Sequence, residues 1–325
     1  MPPTATPTAS AVRRIDAQLR ELEDARLDGA LRISRDVALQ ITHPHKVLFP
    51  ESGVTKGELM RYYTRVAPLV LPLLRDRPLS LKRYPEGIDA EFFFQQKAPS
   101  NPPRGVRVET VEGERGDDQE RLIGGTLVTL LYCVQLGAFE CNPWHARIPS
   151  LANPDYAVID LDPGPRAPFE RVVETALWVH EALDARGLHG LAKTSGATGI
   201  HIYVPLPARA TWSDAERVAT TIASDVASAH PRETTLQRTV SARGASTVYV
   251  DAGQNARGKT VAAPYGVRAR PGATVSTPLA WSELSPALDP REFPVRTLPA
   301  RIERAGDRWG PAMRKRNSAR IVTRL

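Results

Sequence analysis

The apolar positions along this chain change period several times, and each change predicts an element. In residues 168–186, Phe169, Val172, Val173, Ala176, Leu177, His180 and Leu183 recur three and four apart. That spacing predicts a helix with those side chains on its inner face, His180 packed among them, and Gly187 as its stop. Residues 10–31 repeat the pattern sparsely, through Ile15, Leu19 and Leu22 among charges, and predict an accessory helix. Thr55 with Glu58 three later is a capping box opening a third helix, striped by Leu59, Tyr62, Val66 and Val70. Ser213 with Glu216 opens a fourth, running to about His230. Period two takes over in "GIHIYVPL" and "STVYVD", which predicts strands, and "RPLSLKRYPEG", "AEFFFQQKAP" and "GVRVETVEG" read as shorter ones. Helices and strands mix throughout without an internal repeat, so the fold class is α/β or α+β.

One segment breaks both periods. Residues 122–139, "LIGGTLVTLLYCVQLGAF", carry no charge and reach the lower length limit of a membrane span. Two adjacent glycines, two threonines and a glutamine dilute the run, which therefore predicts a buried helix. The N-terminal "MPPTATPTAS" lacks the basic and apolar regions of a signal peptide and reads as a tail, so a cytoplasmic location follows. Cys133 and Cys141 are the only cysteines, too few for a disulfide framework or a cysteine-based zinc site. At 325 residues the chain can bury one large core or two smaller ones. Lys plus Arg exceed Asp plus Glu by 43 to 36, and the net charge of +7 favours an anionic partner such as nucleic acid.

Candidate chemistry gathers at strand ends. In "YAVIDLDPG", Asp160 and Asp162 lie two apart and so share a strand face, where like charges demand something positive. Asp251 ends the polar face of "STVYVD". Three such carboxylates suit hard divalent cations with oxygen ligands, although a single strand-end aspartate commonly just starts a turn. In "TSGATGIHIYVPL", Gly196 and Gly199 let backbone N–H groups approach a phosphate, Ser195 adds a hydroxyl, and His201 lies on the polar face beside the turn. Arg257, Lys259, Arg268 and Arg270 follow Asp251, and Lys82 and Arg83 sit near another strand end.

Taken in order, D-x-D, S-G-x-x-G-x-H, and D-x-x-Q-N with "APYGVRARPG", the chain resembles the polymerase domain of bacterial DNA ligase D, of the archaeo-eukaryotic primase superfamily. The likeness runs over about residues 41–281. It implies a primase-like catalytic core of mixed sheets flanked by helices over residues 36–300, a tail and accessory helix over 1–35, and a basic tail over 301–325. No ligase or nuclease domain fits in this length, which reads as a stand-alone member. The resemblance further implies DNA-directed nucleotidyl transfer, filling gaps and extending ends in non-homologous end joining, with two Mn2+ or Mg2+ ions and a preference for ribonucleotides. By motif, Asp160, Asp162 and Asp251 would hold the metals. Lys82, Arg83, Ser195, Gly196, Gly199, His201, Gln254, Lys259 and Arg268 would hold the nucleoside triphosphate. Lys46 and Lys56, in "HKVLFPESGVTK", match a pocket for a 5′-phosphate, and Phe93 and Phe94 a segment that stacks on template DNA.

The implied partners are gapped or broken double-stranded DNA bearing a 5′-phosphate, NTP or dNTP, a DNA ligase and an end-binding protein, at the bacterial nucleoid and away from membranes. The chain departs from the family's common pattern at Thr198, where Lys or Arg is usual, and at Asn142, often His. His45 replaces an acid, and Gly266 a serine. Three other readings stand beside this one: a nuclease using the same metal chemistry, a primase that starts chains de novo, and a non-catalytic end-binding or bridging protein that keeps the fold.

Overall fold

The structure is a computed structural model and describes residues 6–113, 116 and 118–322. Residues 1–5 of the expected N-terminal tail and 323–325 of the expected C-terminal tail lie outside the described residues. The chain forms two compact units, one of Met1–Trp144, Ala262–Val275 and Phe293–Gly306, the other of His145–Val261, Ser276–Glu292 and Asp307–Leu325.

In the first unit, helix Ala9–Ala25 buries Ile15 and Leu19, as its period predicts. It is shorter than the expected 10–31, because Arg26 turns left-handed (φ 55°) and donates its N–H back to Glu23 and Leu22. The chain then forms a hairpin of Gly29–Arg32 and Ala38–Ile41. Helix Lys56–Leu74 begins at the expected cap, Thr55 Oγ1 accepting from the Glu58 N–H, and all four stripe residues are buried. Arg61–Glu23 (2.7 Å) and Arg65–Asp16 (2.9 Å) pair the two helices. The uncharged run 122–139 is only partly helical: Leu122 ends the strand Asp118–Leu122, and the helix spans Leu127–Gln135 from a Thr126 cap. Its glycines cause the delay. Gly125 holds φ +111°, and a Cβ on Gly124 would stand 2.7 Å from the Leu74 carbonyl, so the chain must turn there against backbone. No helix among the described residues is long and apolar enough to cross a membrane.

The second unit is built on a six-stranded mixed sheet, in the order Thr234–Thr235, Val248–Asp251, Tyr156–Pro163, Ile200–Pro205, Leu191–Thr194, Pro278–Leu279. The first pair is parallel and the others antiparallel. Helices Phe169–Ala185 and Trp212–Ala229 pack on each other and on the central strand. The first is placed as predicted, but its buried face is Val172, Val173, Thr175, Ala176, Val179 and Leu183. His180 is therefore half-exposed rather than a core residue; it pairs with Asp184 (3.2 Å) and meets the Trp281 ring edge-on at 4.0 Å. The second starts two residues earlier than predicted, capped by Thr211 with Asp214 instead of Ser213 with Glu216. Farther on, Trp309 is buried against Tyr203, and Asn317 binds the backbone of His189 and Pro205.

Candidate active site

Strand register assembles the second unit's polar centre. Asp160 lies opposite Asp251 on one side and His201 on the other, and His201 lies opposite Lys193. Directly opposed residues share a face, so Lys193, His201, Asp160 and Asp251 form one row across four strands. Asp162, two residues on, joins the same face, with Tyr249 as its cross-strand partner. The row is sheltered: Lys193 and His201 are 0% and 4% exposed and Asp251 8%. His201 Nε2 stands 3.3 Å from Asp160 Oδ1, so the ring faces the carboxylate that the register sets opposite it.

Asp251 is held on all sides. Its Oδ1 accepts from Tyr249 O–H (3.0 Å) and the Gly253 N–H (2.7 Å), and its Oδ2 from Gln254 Nε2 (2.8 Å). Burial, then the Asp251 charge, pushes the Tyr249 phenol up to about 12, which keeps it a donor at neutral pH. The predicted nucleotide ligand Gln254 thus touches Asp251. Its neighbour Asn255, which sequence reasoning passed over, binds both the N–H and C=O of Val158 (2.7 Å each) and the Ala252 carbonyl. Val248–Asp251 pairs the central strand only from Asp160 onward, and the Asn255 amide takes the place of a strand partner at Val158. Lys259 is exposed on the following turn.

Ser195, Gly196 and Gly199 form the predicted tight turn. The N–H groups of Ala197 and Gly199 donate to Ser195 Oγ (3.1 and 3.0 Å), so the serine organises the turn's N–H groups that were expected to face a phosphate. A Cβ at Gly199 would collide with the Leu161 carbonyl, so this position requires glycine. Thr198 is exposed at the tip. Among the described residues, no three His, Cys, Asp or Glu side chains are already gathered into a metal-holding group. The donor chemistry nevertheless fits a hard divalent cation: three carboxylates on one face, two of them opposed by register.

The first unit carries two further clusters. Lys46 pairs with Glu86 (2.8 Å), while Lys56 is 6% exposed and donates Nζ to the Thr42 carbonyl (2.9 Å). Burial, and secondarily the Lys46 charge, holds the Lys56 amine below its ordinary range. The backbone N–H groups of Lys56, Gly57 and Glu58, opening their helix, donate to Lys46 O, Pro44 O and Thr55 Oγ1. An anion here would therefore meet side-chain ammonium groups, not the helix end. In the hairpin of Leu79–Arg83 with Phe93–Gln95, Lys82 faces Phe94 and Arg83 faces Phe93. Phe92, Phe93 and Phe94 are 48%, 46% and 70% exposed, with Lys82 Nζ 4.0 Å from the Phe92 ring centre and the Arg83 guanidinium 5.0 Å from that of Phe93. Arg268 lies 3.4 Å from Oε1 of the buried Glu140, which also accepts the Ala269 N–H (2.8 Å). Glu140 was missed, although a lone acid after an uncharged run is a usable signal. Asn142 pairs with Ser80 at the hairpin's edge.

Comparison with known proteins matches this architecture. The family model described as "LigD, primase-polymerase domain" covers residues 55–309. The Multifunctional non-homologous end joining protein LigD of Pseudomonas aeruginosa is 34% identical over 86% of this chain and 33% of its own length. The Bifunctional non-homologous end joining protein LigD of Bacillus subtilis is 32% identical over 82% of this chain and 43% of its own. The polymerase domain from Mycobacterium tuberculosis Ligase D, solved in complex with DNA, superposes with a TM-score of 0.79 at 31% identity, covering 86% of this chain and 99% of that one. The chain belongs to the LigD primase-polymerase domain family. It spans a third to two fifths of the length of these curated relatives.

Proposed function

We propose that this chain is a DNA-directed nucleotidyltransferase of primase-polymerase type that fills gaps and extends broken ends in DNA repair, favouring ribonucleotides. The observation that carries this reading is the placement of Asp160 opposite Asp251, with Asp162 on the same sheet face. In the proposed reaction a primer 3′-oxygen bonds to the α-phosphorus of a nucleoside triphosphate while the bond to the bridging oxygen breaks and pyrophosphate leaves. When bound by the three aspartates, two divalent cations, Mn2+ or Mg2+, supply charge stabilisation to the attacking and leaving oxygens. His201 and the turn of Ser195, Gly196 and Gly199 hold the triphosphate. Gln254 steadies Asp251, and Lys259, Lys82, Arg83 and Arg268 belong to nucleotide binding through the family resemblance. Phe93 and Phe94, exposed beside two cations, suit stacking on unpaired template bases.

The experiment is primer extension across a short gap with each metal and each nucleotide type. Extension favouring ribonucleotides supports the proposal. Tight gap binding with no product under any combination would instead indicate an end-binding protein.

Lys46 and Lys56 are proposed to hold the gap's 5′-phosphate. Charge-assisted contacts of this kind are worth about 1.5–3 kcal/mol, so a phosphorylated gap is expected to bind about tenfold tighter than a 5′-hydroxyl gap at low salt. Lys46→Ala with Lys56→Ala should erase the difference. Because Lys56 is held below the usual amine range, the preference should fall with rising pH sooner than contacts made by exposed lysines. A pH series of binding titrations on both gaps reads this, and equal affinities at every pH would count against the pocket.

A further inference from the structure

Beside the residues that the function uses directly, the polar row contains a cation with no role so far. Lys193 is fully buried at the end of the row. Its Nζ lies 2.7 Å from His201 Nδ1 and donates to Ser276 Oγ (2.5 Å). Ser276 in turn donates its hydroxyl to the Thr194 carbonyl (2.8 Å), which leaves its oxygen to accept and fixes Nζ as the donor. With Lys193 as an ammonium, which has no lone pair, His201 Nδ1 is the acceptor in the short contact and the ring proton resides on Nε2. That nitrogen is the one facing Asp160 Oδ1.

We infer that Lys193 is a positioning residue that fixes His201 in the Nε2–H tautomer, making it a hydrogen-bond donor toward the aspartates and the nucleotide's phosphates. The inference deepens the proposed function and rests on it for the identity of the ligand, though not for the tautomer. Without Lys193, the ring can carry its proton on Nδ1 and turn a bare Nε2 lone pair toward an anionic triphosphate. Contact with the phosphates would then change from attraction to repulsion. The lysine acts without touching the substrate, much as the buried partner of a catalytic histidine sets which nitrogen is protonated.

Two measurements test this. In the unmodified protein labelled with 15N-histidine, the resonances lost in His201→Gln should show a protonated Nε2 and an unprotonated Nδ1; an Nδ1–H signature overturns the inference. This reading needs neither catalysis nor a lysine variant, so it stands or falls apart from the extension assay. The second is the affinity for a nonhydrolysable nucleotide in a double-mutant cycle. Lys193→Met and His201→Gln should each weaken binding about tenfold or more, and the double variant no further than His201→Gln alone. Independent, multiplying losses, or a Lys193→Met protein with unaltered nucleotide affinity, would overturn it.

Discussion

Asp160→Asn and Asp251→Asn, made singly, are each expected to cut primer extension about a thousandfold or more, since removing metal-borne charge stabilisation costs several kcal/mol at the transition state. Gapped-DNA affinity should stay within about twofold, because phosphate contacts supply most of it. Both substitutions keep the side chain's shape. In Asp251→Asn the amide can still accept from Tyr249 and Gly253, and Gln254 can reverse its own amide to match, so the loop that follows survives. In Asp160→Asn the contact from His201 Nε2 survives through the amide oxygen. Folding is thus separated from chemistry. Quenched-flow extension beside a DNA-binding titration makes the comparison, and near-normal extension by either variant at saturating manganese would remove these aspartates from the reaction.

Asn255→Ala is expected to destabilise the protein by about 3–5 kcal/mol, through a different physical route. Three hydrogen bonds disappear, and the Val158 N–H and C=O are left buried in the central strand where no neighbouring strand reaches them. Asn255→Asp should be no better, because a carboxylate cannot donate to the Val158 and Ala252 carbonyls. Denaturant unfolding followed by far-UV circular dichroism gives the number. A loss under about 1 kcal/mol would mean that water replaces the amide.

Elements carried by local period are legible in the sequence itself. The strands bearing the aspartates, the Thr55 cap and the helix at 169–185 all follow from spacing along a few neighbouring residues. Features set by contacts across the chain are not. In "TWSDAE" both Thr211–Asp214 and Ser213–Glu216 have the spacing of a capping box; the choice falls to Thr211, and Trp212, anchored by its indole N–H on Leu151 O, joins the first turn. Lys193 is not singled out by its local sequence, and only the fold, whose register sets it opposite His201, shows it to be buried. The N–H groups beside Lys56 look available for an anion, yet Pro44 and Lys46, ten or so residues back, already accept them. Gln254 and Asn255 cannot be ranked from "QN", since their roles depend on which strand edge the loop returns to.

The central claim is that Asp160, Asp162 and Asp251 together hold divalent cations on one face of the sheet. Manganese binding followed by electron paramagnetic resonance, with gapped DNA and a nonhydrolysable nucleotide present, tests it most directly. Two ions per chain are predicted for the unmodified protein, with at least one lost in Asp251→Asn. The same manganese stoichiometry in both proteins would contradict the account.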